Sequence, residues 1–145
     1  MGDLSKDIKS NFPSNDLKAY INILFTANWI YSKELEILKP FNISPQQYNI
    51  LRILRGAKTE LTVQTVKNRM IQRAPNVTRL MDKLCAKKLI NRIPSKVDRR
   101  IVNIIITEDG LNLLSKIDDK WEPKFLKNLN DEEAEQLSYL LDKIR

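Results

Sequence analysis

The first long pattern of apolar positions runs from Asp16 to about Lys39. Leu17, Ile21, Leu24, Tyr31, Leu35 and Leu38 recur at heptad-like spacing, interrupted by Asn28. Ile23, Ile30 and Ile37 form a second set, and Phe25 and Trp29 widen the coverage. This spacing predicts one long helix, capped by Asn15 or Asp16. A helix that is apolar on more than one side needs burial on more than one side. Lys18, Lys33 and Glu34 argue against a membrane span, so the expected partner is a second copy of the chain. Residues 1–15 hold Gly, Pro, Ser and Asn with little periodicity and are expected to form a flexible arm.

Shorter patterns follow. Ser44 as N-cap, Pro45 at the first helical position and Gln47 closing a capping box predict a helix with a buried stripe of Tyr48, Leu51 and Leu54. Thr62 is expected to cap a short helix that turns Val63, Val66 and Met70 inward. Pro75 is expected to open another, running to about Lys87, in which Val77, Leu80, Met81 and Leu84 share one face. The Ile/Val-rich stretches Leu89–Pro94 and Arg100–Thr107 then read as two strands around a turn that starts at Pro94-Ser95-Lys96. Thr107, Glu108 and Asp109 open a helix with Leu111, Leu114, Ile117 and Trp121 inward. Asn130 and Glu133 form a further capping pair, starting a final helix that buries Ala134, Leu137, Leu141 and Ile144.

Two short helices followed at once by a hairpin predict a winged helix-turn-helix, over residues 44–107. The expected fold class is mainly α with a small β-hairpin wing. Dimerisation helices over 16–39 and 108–145 flank the wing-bearing lobe within one domain, 1–145.

Composition narrows the chemistry. The 145 residues include one cysteine, Cys85, and no histidine, which excludes an intramolecular disulfide, Cys/His zinc sites and a histidine base. Cys85 lies at the margin of an apolar helix face and reads as a small hydrophobe. The carboxylates fall mainly at helix starts and on polar faces, so no catalytic residue, metal or cofactor is expected. Met1 is followed by polar sequence, and no apolar run reaches membrane-spanning length, so a cytoplasmic protein with no membrane partner is expected.

Charge changes the picture most. The net charge is +7, and residues 66–100 alone carry eleven Lys and Arg against Asp82 and Asp98. That concentration points to a polyanion partner, and the winged helix-turn-helix makes double-stranded DNA the expected one. A solvated basic surface would explain the charge but not its placement. On the helix after Pro75, the surface left by the apolar face presents Pro75, Asn76, Thr78, Arg79 and Lys83. The first residues of a recognition helix reach base edges. Asn76 is suited to adenine and Arg79 to a bidentate contact with guanine, while Thr78 offers a hydroxyl and a methyl. Asn76 and Thr78 are equally at home as helix-start residues. Lys83 and Lys87, farther along, suit phosphates.

The turn between the strands carries Ser95, Lys96, Asp98, Arg99 and Arg100. An extended arginine fits a narrow minor groove. Asp98 is expected to hold the guanidinium of Arg100 by a charge-assisted hydrogen bond, with Lys96 and Arg99 on the flanking phosphates. A solvent-exposed salt bridge at a turn is the competing reading.

The stretches LTVQTVKNRM, NVTRLMDKLCAKKLINR and VDRRIVNIIITEDGLNLL, in that order, resemble the multiple antibiotic resistance regulator (MarR) family. The likeness is most specific across Leu61–Leu114, and Asp98-Arg99-Arg100 is similar to that family's Asp-x-Arg wing signature. The resemblance implies a winged-helix homodimer that represses transcription from a pseudo-palindromic operator and gives the wing-arginine role to Arg100. It further implies release by a small, often phenolic, effector, whose cleft typically lies between the dimer helices and the DNA-binding lobe. Trp29, Tyr31 and Tyr48 are the aromatic candidates near such a cleft, with core packing the competing reading for each. Two departures stand out. Lys88 occupies the place where the family commonly has a glycine in the left-handed conformation, and MIQRAP replaces the usual Ser-rich approach to the recognition helix. A nonspecific nucleic-acid or RNA-binding module is the alternative, since the central charge alone would produce one.

Overall fold

The structure is a computed structural model that describes residues 2–72, 75–95, 98, 100–120 and 124–145. Its contacts divide it into two compact units, Met1–Glu36 and Ile37–Arg145. Arg73, Lys96, Arg99 and Trp121 lie outside the described residues.

In the first unit, the expected arm contains a one-turn helix, α1 (Leu4–Asp7), because the Asp3 carboxylate accepts the Ser5 amide at 3.1 Å. The long helix α2 spans Asn15–Leu38. Its cap is Ser14, one residue earlier than the sequence reading placed it: the Ser14 hydroxyl accepts the Leu17 amide at 3.2 Å. Leu17, Tyr20, Ile23, Leu24, Phe25, Trp29 and Leu35 of α2 are exposed in the single chain.

The second unit holds the remaining helices, α3 (Pro45–Ala57), α4 (Val63–Arg69), α5 (Val77–Ala86), α6 (Glu108–Asp118) and α7 (Asp131–Ile144). Its strands β1 (Leu61–Thr62), β2 (Ile90–Pro94) and β3 (Val102–Ile106) form one antiparallel sheet in the order β1-β3-β2. The hairpin register pairs Ile90 with Ile106 and Pro94 with Val102. The third strand, β1, was not expected. Leu61 and Thr62 pair with Ile104 and Asn103, while Thr62 also caps α4 by accepting the Thr65 amide at 3.0 Å. One residue thus ends a strand and starts a helix, which ties the first helix of the helix-turn-helix to the wing.

The core lies under this sheet. Leu38, Ile43, Tyr48, Ile50, Leu51 and Leu54 meet Val66, Met81, Leu84, Ile90, Ile104, Leu114 and Ile117. The capping box of α3 is complete: the Ser44 hydroxyl accepts the Gln47 amide at 3.2 Å, and the Ser44 amide donates to Gln47 Oε1 at 3.0 Å. The same arrangement joins Asn130 and Glu133 at α7. Arg55 of α3 grips Asp118 of α6 through Nη1–Oδ2 at 2.5 Å.

Three inward assignments, on two helices, need correction. Leu111 of α6 is 41% exposed, because the buried stripe of that helix is Gly110, Leu114 and Ile117. Leu137 and Ile144 of α7 are also exposed in the single chain, with Ala134 and Leu141 half-buried.

Candidate nucleic-acid interface

The amphipathic pattern of α5 decides which side chains can reach a partner. Val77, Met81 and Leu84 are buried against the core and Leu80 is half-buried. Asn76, Thr78, Arg79 and Lys83 therefore stand exposed on the opposite side. Pro75 is exposed as well, but it lies in the turn before the helix rather than at its first position. Asn76 is the N-cap residue, and its side chain makes no capping hydrogen bond. Asn76 is thus not held by the capping role that competed with base recognition.

Helix α5 is anchored at its middle and at its C-terminal end. Asp82 forms an ion pair with Arg92 of β2, so one face of the helix is fastened to the wing. Lys87, expected to meet phosphate, instead donates to the Asn42 carbonyl. At the C-terminus, Lys88 adopts φ 59°, the left-handed conformation that the sequence pattern reserves for glycine. Its amide donates to Cys85 O at 2.8 Å and the Leu89 amide donates to Leu84 O at 3.0 Å, which is the Schellman pairing that ends a helix. The departure from glycine therefore leaves the ending geometry unchanged and costs on the order of 1 kcal/mol of steric strain.

The wing is built by backbone bonds. Ser95 N donates to Ile101 O and Ile101 N donates to Asp98 O, each at 2.9 Å. The Asp98 carboxylate accepts the backbone amide of Arg100 at 2.9 Å. This corrects the expected bond between Asp98 and the Arg100 guanidinium: a two-residue Asx turn satisfies the carboxylate locally, before the longer side chain can compete. Asp98 and Arg100 are both exposed at this tip, while Ser95 is half-buried. Two further members of the expected wing set, Lys96 and Arg99, fall outside the described residues.

The aromatic candidates separate. Tyr48 is a core residue with the Arg52 guanidinium 5.7 Å from its ring centroid. Trp29, exposed, and Tyr31, half-buried, lie on α2 in the first unit.

A cleft of about 230 Å³ that the sequence reading missed opens between the start of α3 and the outer face of α5. Ser44, Gln46, Gln47, Asn76, Leu80 and Lys83 line it. The α3 residues read as helix-start residues in the sequence, and no local signal brings them beside the recognition helix. Gln46 also donates to Gln72 Oε1 at 3.0 Å, linking α3 to the segment before α5. Among the described residues, no group of Cys, Asp and Glu side chains could hold a metal ion, and no helix is long and apolar enough to cross a membrane.

Comparison with known proteins agrees with this architecture. The MarR family model matches residues 41–101. The multiple antibiotic resistance protein MarR of Salmonella typhimurium is 30% identical over 111 residues, covering 74% of this chain and 76% of that protein. A solved complex of S. aureus MepR with DNA is 28% identical with a TM-score of 0.75, covering 90% of this chain and 96% of that one. A mutant of Escherichia coli MarR complexed with operator DNA is 26% identical with a TM-score of 0.73, covering 99% of each chain. The anchored recognition helix, the wing behind it and these similarities together place the chain in the MarR family of winged-helix transcription regulators.

Proposed function

We propose that the protein is a sequence-specific double-stranded DNA-binding repressor that acts as a homodimer on a pseudo-palindromic operator. The observation that carries this reading is the exposed set Asn76, Thr78, Arg79 and Lys83 on an amphipathic helix whose opposite face is buried in the core. Arg100 at the wing tip supplies a second contact, suited to a narrow minor groove. The DNA complexes solved for MepR and the MarR mutant support the same direction of binding. Homodimerisation is supported by the exposed apolar residues of α7, Leu137, Leu140 and Ile144, and by those of α2. Release by a small aromatic effector completes the reading.

The test is selection of bound fragments from a random duplex pool, followed by competition at physiological salt. A specific regulator prefers its selected site over random duplex by about 10³-fold or more. A ratio near one would instead identify a nonspecific nucleic-acid-binding module, for which the concentrated central charge alone would suffice.

A further inference from the structure

Ile71 is 87% exposed, more than any other large hydrophobic among the described residues. Between Leu35 and Ile101 it is the one exposed large hydrophobic among them. It stands in the connection between α4 and α5, amid Lys67, Asn68, Arg69 and Gln72, all exposed. An isolated apolar side chain on a surface is ordinary. The bonds that hold Ile71 set it apart.

The chain leaves α4 at Met70, whose backbone is extended (φ −68°, ψ 136°) and whose side chain is buried in the core. In extended backbone, neighbouring side chains point to opposite sides. Burying Met70 therefore turns Ile71 outward. Two side chains of α3 then fix the segment. The Asn49 carboxamide oxygen accepts the Ile71 amide at 3.0 Å, and the Gln46 carboxamide donates to Gln72 Oε1 at 3.0 Å. Gln46 and Asn49 are three residues apart, so they share one face of the helix. Consecutive residues of the turn are thus clamped from a separate element. The clamp engages the Ile71 backbone and leaves its side chain to solvent.

We propose that Ile71 reads the C5 methyl of a thymine in the major groove, with Asn49 as the residue that positions it; the inference rests on the DNA-binding reading above. The turn leads directly into the recognition helix, whose first residues reach base edges. On those edges the thymine methyl is the apolar group. Isoleucine has no hydrogen-bonding group for a phosphate or for any other part of a base edge. A branched aliphatic side chain held beside the methyl sheds water on contact, which favours thymine over cytosine or uracil.

Deoxyuridine isolates that methyl, because it differs from thymidine by this group alone. Each thymine of the duplex selected by the wild type is replaced singly by deoxyuridine, and affinities are read by fluorescence anisotropy at fixed salt. At one position per half-site the wild type should bind about fourfold more weakly, the effect of removing one methyl-sized group from an apolar contact. Ile71→Ala should show no penalty at that position and keep any penalty at the others. Because Ile71 is exposed, this variant should retain the wild-type urea midpoint and affinity for random duplex. Asn49→Ala should shrink the same discrimination. Asn49→Asp restores an oxygen acceptor for the Ile71 amide and should recover the ratio, while its charge lowers affinity for every duplex. A wild type that prefers one duplex, with the same deoxyuridine penalties as Ile71→Ala, overturns the assignment of Ile71 and leaves the proposed function standing. Full discrimination in a folded Asn49→Ala removes Asn49 from the mechanism. A wild type that prefers no duplex overturns the DNA-binding reading and this inference with it.

Discussion

Thr107 holds Lys88. The threonine hydroxyl donates to the Lys88 carbonyl at 2.7 Å while accepting the Gly110 amide at 3.1 Å, so one side chain ends the recognition-helix segment and starts α6. The Thr107 amide adds a bond to Leu89 O at 3.1 Å. The left-handed residue after α5 is thereby fastened to the helix that leads toward the C-terminal part of the chain.

Thr107→Ala should remove both the cap of α6 and the bond to Lys88, at a cost of about 1–2 kcal/mol in urea unfolding. Thr107→Ser retains the hydroxyl and should recover most of that loss. Equal midpoints for the wild type and the alanine variant would show that the hydroxyl bonds contribute nothing net.

Lys88→Gly should stabilise the protein by about 0.5–1 kcal/mol, because glycine adopts the left-handed conformation without the Cβ clash. The gain is read as a higher urea midpoint. A lower midpoint would mean that the entropy of the more flexible unfolded chain outweighs the relieved strain.

Gly110→Ala should act in the opposite direction. An added Cβ would lie 2.3 Å from the Leu89 carbonyl oxygen and 2.7 Å from Ile106 Cγ1, so α6 must move off the start of β2. The expected loss is about 1–3 kcal/mol by thermal or urea unfolding. An unchanged stability would show that the helix start can shift at no cost.

These residues also show where the sequence was legible. Gly110 occupies the inward position of the first turn of α6, yet it carries no side chain for a hydrophobic pattern to register, so the stripe was read one residue late at Leu111. The helices with side-chain caps were readable because Ser44, Thr62, Thr107 and Asn130 each satisfy an amide only three residues away. Strand β1 was not, because Leu61 and Thr62 find partners only at Ile104 and Asn103, far along the chain. The exposed set on α5 followed from periodicity alone. The cleft beside it did not, since it depends on two helices meeting.

The contacts to DNA should separate by kind. Arg100→Ala should weaken binding to the selected site by about 1–3 kcal/mol, most strongly where A·T pairs narrow the minor groove. Lys83→Ala should weaken all duplexes alike and reduce the slope of log K against log salt by about one. Fluorescence anisotropy at several salt concentrations distinguishes the two, and a changed base preference in Lys83→Ala would reassign that side chain to the bases.

If the protein is the proposed homodimer, Leu140→Asp should yield a monomer in light scattering and weaken operator binding about tenfold or more, as the second half-site is lost. Leu140 is exposed in the single chain and lies near Leu137 and Ile144 on α7. A wild-type protein that runs as a monomer would remove the dimer from the mechanism.

The Asx turn at Asp98 separates shape from charge. Because main-chain bonds and the short Asp98 carboxylate shape the described part of the fingertip, the Arg100 guanidinium is cargo rather than scaffolding. Such an arrangement lets the residue at position 100 change while the Asx turn that precedes it keeps its form.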